Sequence, residues 1–576
     1  MVARFLFFLS VCAFLGALRP ALAQTIPDTV LRQQDQILRD QHERLRQEEL
    51  ERRRDLVAPP SGTEEEDRDV FPLKTDGPCV TISRVVLEGV QATPGMKVSD
   101  ILSPARGQCL GAQQIDHLLK QLTNRYVAHG LVTTRVYVPP QDLAGGVLRL
   151  LVVEGVVEDF EIEEGALSPW ALSTAFPGLK GKLLNLRDLE QGLDQINRLR
   201  RNTARMDLKP GASQGGSVVV IKNQRQPWWF VTTSVDNAGS LNTGEHQGSV
   251  SLQGEDLLGL NDQWTVSQRR SFPLDGSLRD SRTLSGSVSF PLGYWTFTLS
   301  GNHMGWHHPI KGFFSTMTSS GTSRSVKAQV DRVMYRDAVS KTLASTSLAV
   351  TDTESFLENI RLVTGSRRLT AGTLGMTHSR RIASGALSVT GTLGFGLGLF
   401  GAERDKGKGS VEPRARFRKW TGDVSWWQSL PNPIPNTALS WNSTARVQWS
   451  RHTLHSAERF SVGGLYSVRG FKGQSLSGDS GLWWRNDLRL TLPSTTLGPI
   501  DRALGRAYVS LSYDIGKIKS DPRDQLERGV ASGISASLGT SGGPLSLSLT
   551  WAQELRSPAF LTAKNNAVYL SASLGF

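Results

Sequence analysis

From Pro227 to Phe576, hydrophobic and polar positions alternate in segments of roughly eight to fifteen residues, separated by Gly, Asn, Asp, Ser and Pro. TFTLSGNHMGW (296–306), ALSVTGTLGFGLGLF (386–400), RAYVSLSYDIGKI (506–518) and AVYLSASLGF (567–576) show the pattern. In the last, Val568, Leu570, Ala572, Leu574 and Phe576 share one face; Tyr569, Ser571, Ser573 and Gly575 share the other. Successive strand side chains point to opposite faces, so one face suits lipid and the small, polar one suits a water-filled lumen. A soluble sandwich would instead need polar outward faces and shorter runs. About 350 residues, at roughly 20 to 22 per strand and turn, give about 16 strands, an even number as closure of a bacterial barrel requires. The pattern predicts a mainly β protein with a transmembrane antiparallel β-barrel of about 16 strands over 225–576.

Upstream the period changes. VTISRVVLEGV (80–90) reads as strand, a short helix is expected near Val98 to Leu102, and Ala112 to His129 is helical. Ile115, Leu118, Leu119, Leu122 and Tyr126 fall on one helical face. LVTTRVYV (131–138) and GVLRLLVVEG (146–155) read as strands. The order strand, helix, helix, strand, strand then recurs: VEDFEIE, helices over 168–175 and 186–201, ARMDLKP and SVVVIKN. Two similar α/β modules in tandem, 79–154 and 155–224, are an internal repeat.

Residues 28–56 predict one helix, with Asp28 as N-cap and no Gly or Pro after Pro27. Leu31, Leu38 and Leu45 form only a thin stripe; Arg, Gln, Glu and Asp cover the rest. Such a helix cannot bury a wide face. It is either solvated, as a weak coiled coil would be, or rests in a polar, water-filled lumen. The four prolines and the acidic run of 57–78 mark a linker. MVARFLFFLSVCAFLGALRPALAQ opens with Arg4, an apolar Phe5–Leu18 and Ala21-Leu22-Ala23, the layout of a cleaved signal peptide over 1–23.

Secretion accounts for the cysteines. Cys12 leaves with the signal, and Cys79 and Cys109 remain as an even pair in an oxidising compartment, predicting a disulfide. The net charge of +12 is scattered through strands and turns, which argues against nucleic acid as a partner. No internal run of 18 apolar residues predicts a membrane helix. Gly539-Thr540-Ser541-Gly542-Gly543 fits G-x-S-x-G formally, but a strand and Pro544 follow it rather than a helix, so it reads as a hairpin turn. No catalytic residue, metal site or cofactor is predicted.

GGLYSVRGFKG (463–473) sits between two alternating stretches and sets one arginine, Arg469, between Val468 and Phe471. In VSLSYDIG (509–516), Val509, Leu511, Tyr513 and Ile515 make a lipid-side row, and Ser510, Ser512, Asp514 and Gly516 a lumen row. Asp514 is therefore an inward carboxylate. A loop folded into the lumen would bring Arg469 to it, and the planar guanidinium suits two-point pairing. Gly470 would permit a tight turn, and Val468 and Phe471 would wedge against the wall. In a wet lumen such a pair is worth about 1 kcal/mol or less.

These residues resemble the hemolysin secretion/activation family, the outer-membrane transporters of two-partner secretion, within the barrel-assembly superfamily. Val468-Arg469-Gly470-Phe471 after Gly463-Gly464 matches the superfamily's loop motif, and Asp514-x-Gly516 its partner motif on the barrel wall. Ser512 stands where the family usually has an aromatic residue or glycine. Leu131-Val132-Thr133-Thr134-Arg135 and Pro140-Gln141-Asp142-Leu143 resemble the family's first POTRA domain. Asp236-Asn237-x-Gly239 with Thr243-Gly244 resembles its first barrel strand. The order of signal, helix, linker, two POTRA domains and barrel covers the whole chain.

The resemblance implies a transporter in the outer membrane of a Gram-negative bacterium, with its POTRA domains in the periplasm and 24–56 as a helix that plugs the resting pore. Its expected partner is a secreted exoprotein, unfolded during transport and carrying an N-terminal secretion domain. Outer-membrane lipid and the barrel-assembly machinery are the other expected partners. Phe576, a terminal aromatic as in outer-membrane barrels generally, is the expected assembly signal. A passive porin shares the barrel but has no need of two POTRA domains, and an assembly factor normally carries more of them.

Overall fold

The structure, a computed structural model, describes residues 28–60, 77–90, 97–272, 279–311, 315–405, 407, 409, 412–432, 434–493, 499–519, 527–561 and 566–576. The expected signal segment 1–23 and residues 61–76 of the expected linker lie outside the described residues.

Helix α1 spans Asp28–Arg52. The first α/β module follows. Its sheet pairs Arg84–Glu88 in parallel with Val147–Val153, and the latter antiparallel with Arg135–Tyr137. Helix α2, Ala112–Ala128, lays Leu118, Leu122 and Tyr126 on Leu148, Leu150 and Val152, all buried. A separate two-stranded ribbon joins Val80–Ile82 to Gln108–Leu110. The strand expected over 131–138 is confined to Arg135–Tyr137. The reason is local: Leu131 N donates to Tyr126 O at 2.9 Å and Thr134 N to Leu131 O at 3.1 Å. Those backbone groups close helix α2 and a turn, so none is left for a neighbouring strand.

The second module repeats the arrangement. Val156–Glu164 runs parallel to Gly216–Arg225, which pairs antiparallel with Asn202–Pro210. Helices α3, Pro169–Ala175, and α4, Leu186–Asn197, cover one face. Helix α4 stops at Asn197, before the expected 201. Past that point the chain turns to the barrel: the backbone N–H groups of Arg200 and Arg201 donate to the Glu255 carboxylate at 3.1 and 2.8 Å.

The rest of the chain is a closed barrel of sixteen long antiparallel strands, with a two-residue strand, Ile360–Arg361, added at one hairpin. The first strand, Trp229–Asp236, closes on the last, Ala567–Gly575, in register from Ser571↔Asp236 to Gly575↔Thr232. Val509, Leu511 and Tyr513 face outward and are exposed, while Ser510, Ser512 and Asp514 face inward and are buried. The longest strand, Thr316–Arg336, has 21 residues, against the ~9–11 needed to cross a bilayer. It is therefore much longer than a bilayer crossing needs.

Helix α1 occupies the lumen. Gln34 Nε2 donates to Ser319 Oγ at 2.7 Å near one end, and Arg53, just past the other, reaches Asp331 at 2.6 Å. Between them Arg46 pairs with Asp423 at 2.8 Å and Lys327 with Glu49 at 2.7 Å. Ile37 and Leu38 pack on Met304 and Trp306. The polar surface read from sequence is thus matched to wall partners at these positions, rather than left wholly to water.

Candidate functional site

The chain between the strands Ala438–Ser450 and Gly481–Thr491 folds back into the barrel. Its base is a small ribbon in which Phe460–Val462 pairs with Leu476–Gly478. Gly463 and Gly464, with φ of 129° and 93°, start the turn in a region that disfavours other residues. Ser467 holds that turn, its hydroxyl accepting from Gly463 N at 2.8 Å. The next residues, Val468 and Phe471, bury their side chains among Phe460, Val462, Leu476, Trp483, Ile518 and Ala531. They anchor the loop to the inner wall.

Arg469 lies between these anchors. Its Nε and Nη2 donate to Asp514 Oδ2 and Oδ1 at 2.7 and 2.6 Å, and its backbone N–H also donates to Oδ2, at 3.2 Å. The remaining Nη1 stands 2.7 Å from Asp487 Oδ1. Asp514 belongs to the strand Gly505–Ile518 and Asp487 to Gly481–Thr491, so one guanidinium bridges two adjacent wall strands. Ser512 Oγ donates to Asp487 at 2.6 Å. The serine that departs from the family's usual residue is thus part of the network. Arg485 adds a second cation, 3.9 Å from Asp514, and donates to Leu465 O at 3.2 Å. Two guanidinium and two carboxylate groups leave the cluster near neutral. Tyr569, on the last strand, donates to Arg469 O at 2.9 Å.

Two expectations change. The pair is not wet: the side chains of Arg469 and Asp514 are 7% and 1% exposed. Burial raises the penalty for an unmatched charge, and the extra acceptors answer it. Nor does Gly470 serve a left-handed turn, since it is absent from the positive-φ glycines. It serves close approach: a Cβ there would stand 2.8 Å from Glu554 N and 2.9 Å from Gln553 C, on the wall strand Leu545–Arg556. Gly516 has the same role, because a Cβ would meet Val462 Cγ1 at 2.5 Å.

Cys79 and Cys109 form a disulfide, with Cα atoms 5.3 Å apart. Phe576 is 66% exposed on the outer face, and its backbone exchanges hydrogen bonds with Val231 at 2.9 and 3.3 Å. These residues lie apart from the Arg469 cluster. Sequence reasoning missed Asp487 and Arg485, although the signal was there. In GLWWRNDLRLT the alternation that puts Leu482, Trp484 and Leu488 outside puts Trp483, Arg485 and Asp487 inside.

A second contact zone ties the second α/β module to the barrel. Gln195 Nε2 donates to Gly293 O at 2.9 Å, Arg336 reaches Asp194 at 2.5 Å, and Arg198 bonds Asn261 O at 2.6 Å. Tyr294 donates to Asp188 at 2.6 Å; burial first, then this bond, push its phenol pKa up.

The arrangement has known counterparts. Residues 215–542 match the model of the haemolysin secretion/activation protein ShlB/FhaC/HecB family, and 80–155 and 156–210 match two POTRA domain models, the first ShlB-type. The chain belongs to that family. The outer membrane transporter CdiB of Escherichia coli strain 536 is 32% identical over 550 residues, 95% of this chain and 90% of the relative. The hemolysin transporter protein ShlB of Serratia marcescens is 30% identical over 475 residues, 82% and 80% of the two chains. The solved structure of CdiB from Escherichia coli superposes with a TM-score of 0.85 at 30% identity, covering 96% of this chain and 100% of that one. This family is one of transporters. The chain is accordingly a two-partner secretion transporter of the outer membrane, its barrel preceded by periplasmic POTRA domains.

Proposed function

We propose that the POTRA domains capture an unfolded exoprotein by strand addition and that the barrel passes it outward once α1 leaves the lumen. Strand addition supplies backbone hydrogen bonds without a fixed sequence, which suits an extended client. The supporting feature is the sheet edges: Arg84–Glu88 and Arg135–Tyr137 flank the first sheet, and Val156–Glu164, already paired with residues 181–183 at its start, and Asn202–Pro210 flank the second. Tyr137 and Ile162 are exposed beside them.

One observation carries the reading. A single lumen holds both α1 and the Arg469 loop, and they touch: Gln36 Nε2 donates to Gly473 O at 3.0 Å. The helix is held by separate single contacts spread over several wall strands, to Ser319, Asp331, Asp423 and Lys327, none of which gives it a two-point clamp. The loop is held by a buried two-carboxylate clamp. The helix is therefore the part that leaves and the loop the part that stays. A passive porin would need the space α1 fills.

The reading assigns no enzymatic role to the G-x-S-x-G stretch. Gly539 to Gly542 complete a wall strand, and Ser541 Oγ accepts from Arg489 at 2.8 Å. Relatives named hemolysin transporters support a secreted protein as the partner. Secretion of a co-expressed partner into culture medium, normalised to transporter in the outer membrane, tests the proposal. Export that is unchanged when the POTRA edge strands carry proline would overturn the strand-addition step.

A further inference from the structure

The outer surface of the barrel carries a charge pattern that the export reading does not use. On the strand Asp280–Leu292, the outward residues Leu284, Phe290 and Leu292 are exposed and apolar. Leu292 adjoins the turn that contacts the second POTRA domain through Gly293. At about 3.3 Å per residue and a tilt near 40°, Leu292 to Leu284 covers about 20 Å along the membrane normal. The next outward residue, Arg282, falls at about 25 Å, the outer edge of an apolar band of that height.

Arg282 has company. Arg270, on Gln263–Ser271, stands directly opposite it across the strand pair. Like charges placed so destabilise a sheet. Asp280 offsets only Arg270, at 3.3 Å. Two strands further round, Arg324 is flanked in register by His303 and Asp352. The Asp352 carboxylate is already bonded to Arg368 at 2.5 Å. Arg270, Arg282 and Arg324 are all exposed, and among the described residues neither Arg282 nor Arg324 has an ion pair. Just inside this row lie the exposed apolar side chains of Leu284, Leu299 and Val326.

We propose that Arg270, Arg282 and Arg324 form a binding site for the phosphate groups of an anionic lipid in the outer leaflet. Guanidinium groups bind phosphate oxygens two at a time, and basic clusters at a membrane surface gather anionic headgroups. Arg282, set against Arg270 and without an ion pair among the described residues, gains a counter-charge there. The apolar row beneath receives the acyl chains, which distinguishes a lipid from free phosphate as the ligand.

The test uses the full chain in detergent micelles, with native mass spectrometry as the readout. The probes are bisphosphorylated lipid A, the same glycolipid without its phosphates, and inorganic phosphate. The wild type should retain the bisphosphorylated lipid about tenfold better than the dephosphorylated one, the size expected for loss of charge-assisted hydrogen bonds. R282Q/R324Q should lose about tenfold, and R324Q alone about threefold, while heat-modifiability shows an intact barrel. Arg361→Gln, at the exposed hairpin tip, should change nothing. Equal retention by R282Q/R324Q or R324Q, or no preference for phosphorylated lipid, overturns the site. Displacement of the lipid by millimolar inorganic phosphate would show a free-anion site instead.

Discussion

The guanidinium of Arg469 is shared between Asp514, which it holds at 2.6 and 2.7 Å, and Asp487, 2.7 Å away on the neighbouring strand. Each of its three side-chain nitrogens faces a carboxylate, and the three side chains lie inside the barrel wall. The loop is thereby fixed to two strands at once. Arg469→Ala should reduce partner secretion at least tenfold while the barrel still inserts, because the strand ladder does not depend on this contact. It leaves two buried carboxylates with one guanidinium, Arg485, between them, a local cost of about 3–5 kcal/mol. Asp514→Ala should do nearly as much and Asp487→Ala less. The Arg469→Ala/Asp514→Ala double variant should be little worse than either single, since one interaction is not lost twice. Secretion normalised to outer-membrane transporter measures this, and wild-type export from Arg469→Ala would sink the proposal.

Gly470→Ala probes the same loop without touching charge. The added methyl would meet the backbone at Gln553 and Glu554, which cannot swing aside. The loop should lift from the wall, and export should fall although Arg469 and Asp514 are both present. Protease sensitivity within 463–473 should rise; unchanged sensitivity and export would mean the wall yields.

Deleting 28–56 should raise single-channel conductance in planar bilayers, since α1 fills the lumen. Removing Arg46 or Arg53 should instead increase brief openings, because each breaks one link to the wall, Asp423 or Asp331. Conductance unchanged by the deletion would show that the helix does not block the path.

Reducing Cys79–Cys109 should destabilise the first POTRA domain and leave the barrel alone. The bridge spans 30 residues of sequence. A closed loop of that size contributes about 3–4 kcal/mol on the chain-entropy account. Amide exchange across 80–153 of the full-length protein should accelerate under reductant, with barrel strands unaffected. Two free thiols in the unreduced mature protein would refute the bond.

Removing Phe576 should lower the amount of folded transporter in the outer membrane. Its ring is exposed on the lipid side while its backbone pairs with Val231 at the closing seam. Normal levels of heat-modifiable barrel after its removal would exclude a role in insertion.

Much of this architecture is legible in the chain because its determinants are local. Side-chain direction in a strand has a period of two, so the inward side of Asp514 follows from its neighbours alone. The same rule reaches Arg485 and Asp487, though not their partners. The tandem modules show in the recurring order of strand and helix patterns, and the breadth of the polar surface on 28–56 shows in a single turn-by-turn reading. What the sequence leaves open is decided by distance between segments far apart in the chain. Whether α1 meets water or wall depends on Ser319, Asp331 and Asp423, which only barrel closure brings around it. Whether Arg469 is wet or buried depends on Val468 and Phe471 finding Trp483, Ile518 and Ala531 across the lumen. Gly470 and Gly516 are glycine because other backbone and side chains press on them, and no local pattern encodes that pressure. The early end of α4 has the same origin: the backbone donors of Arg200 and Arg201, just past its end, go to Glu255 on the barrel, a residue more than fifty positions away.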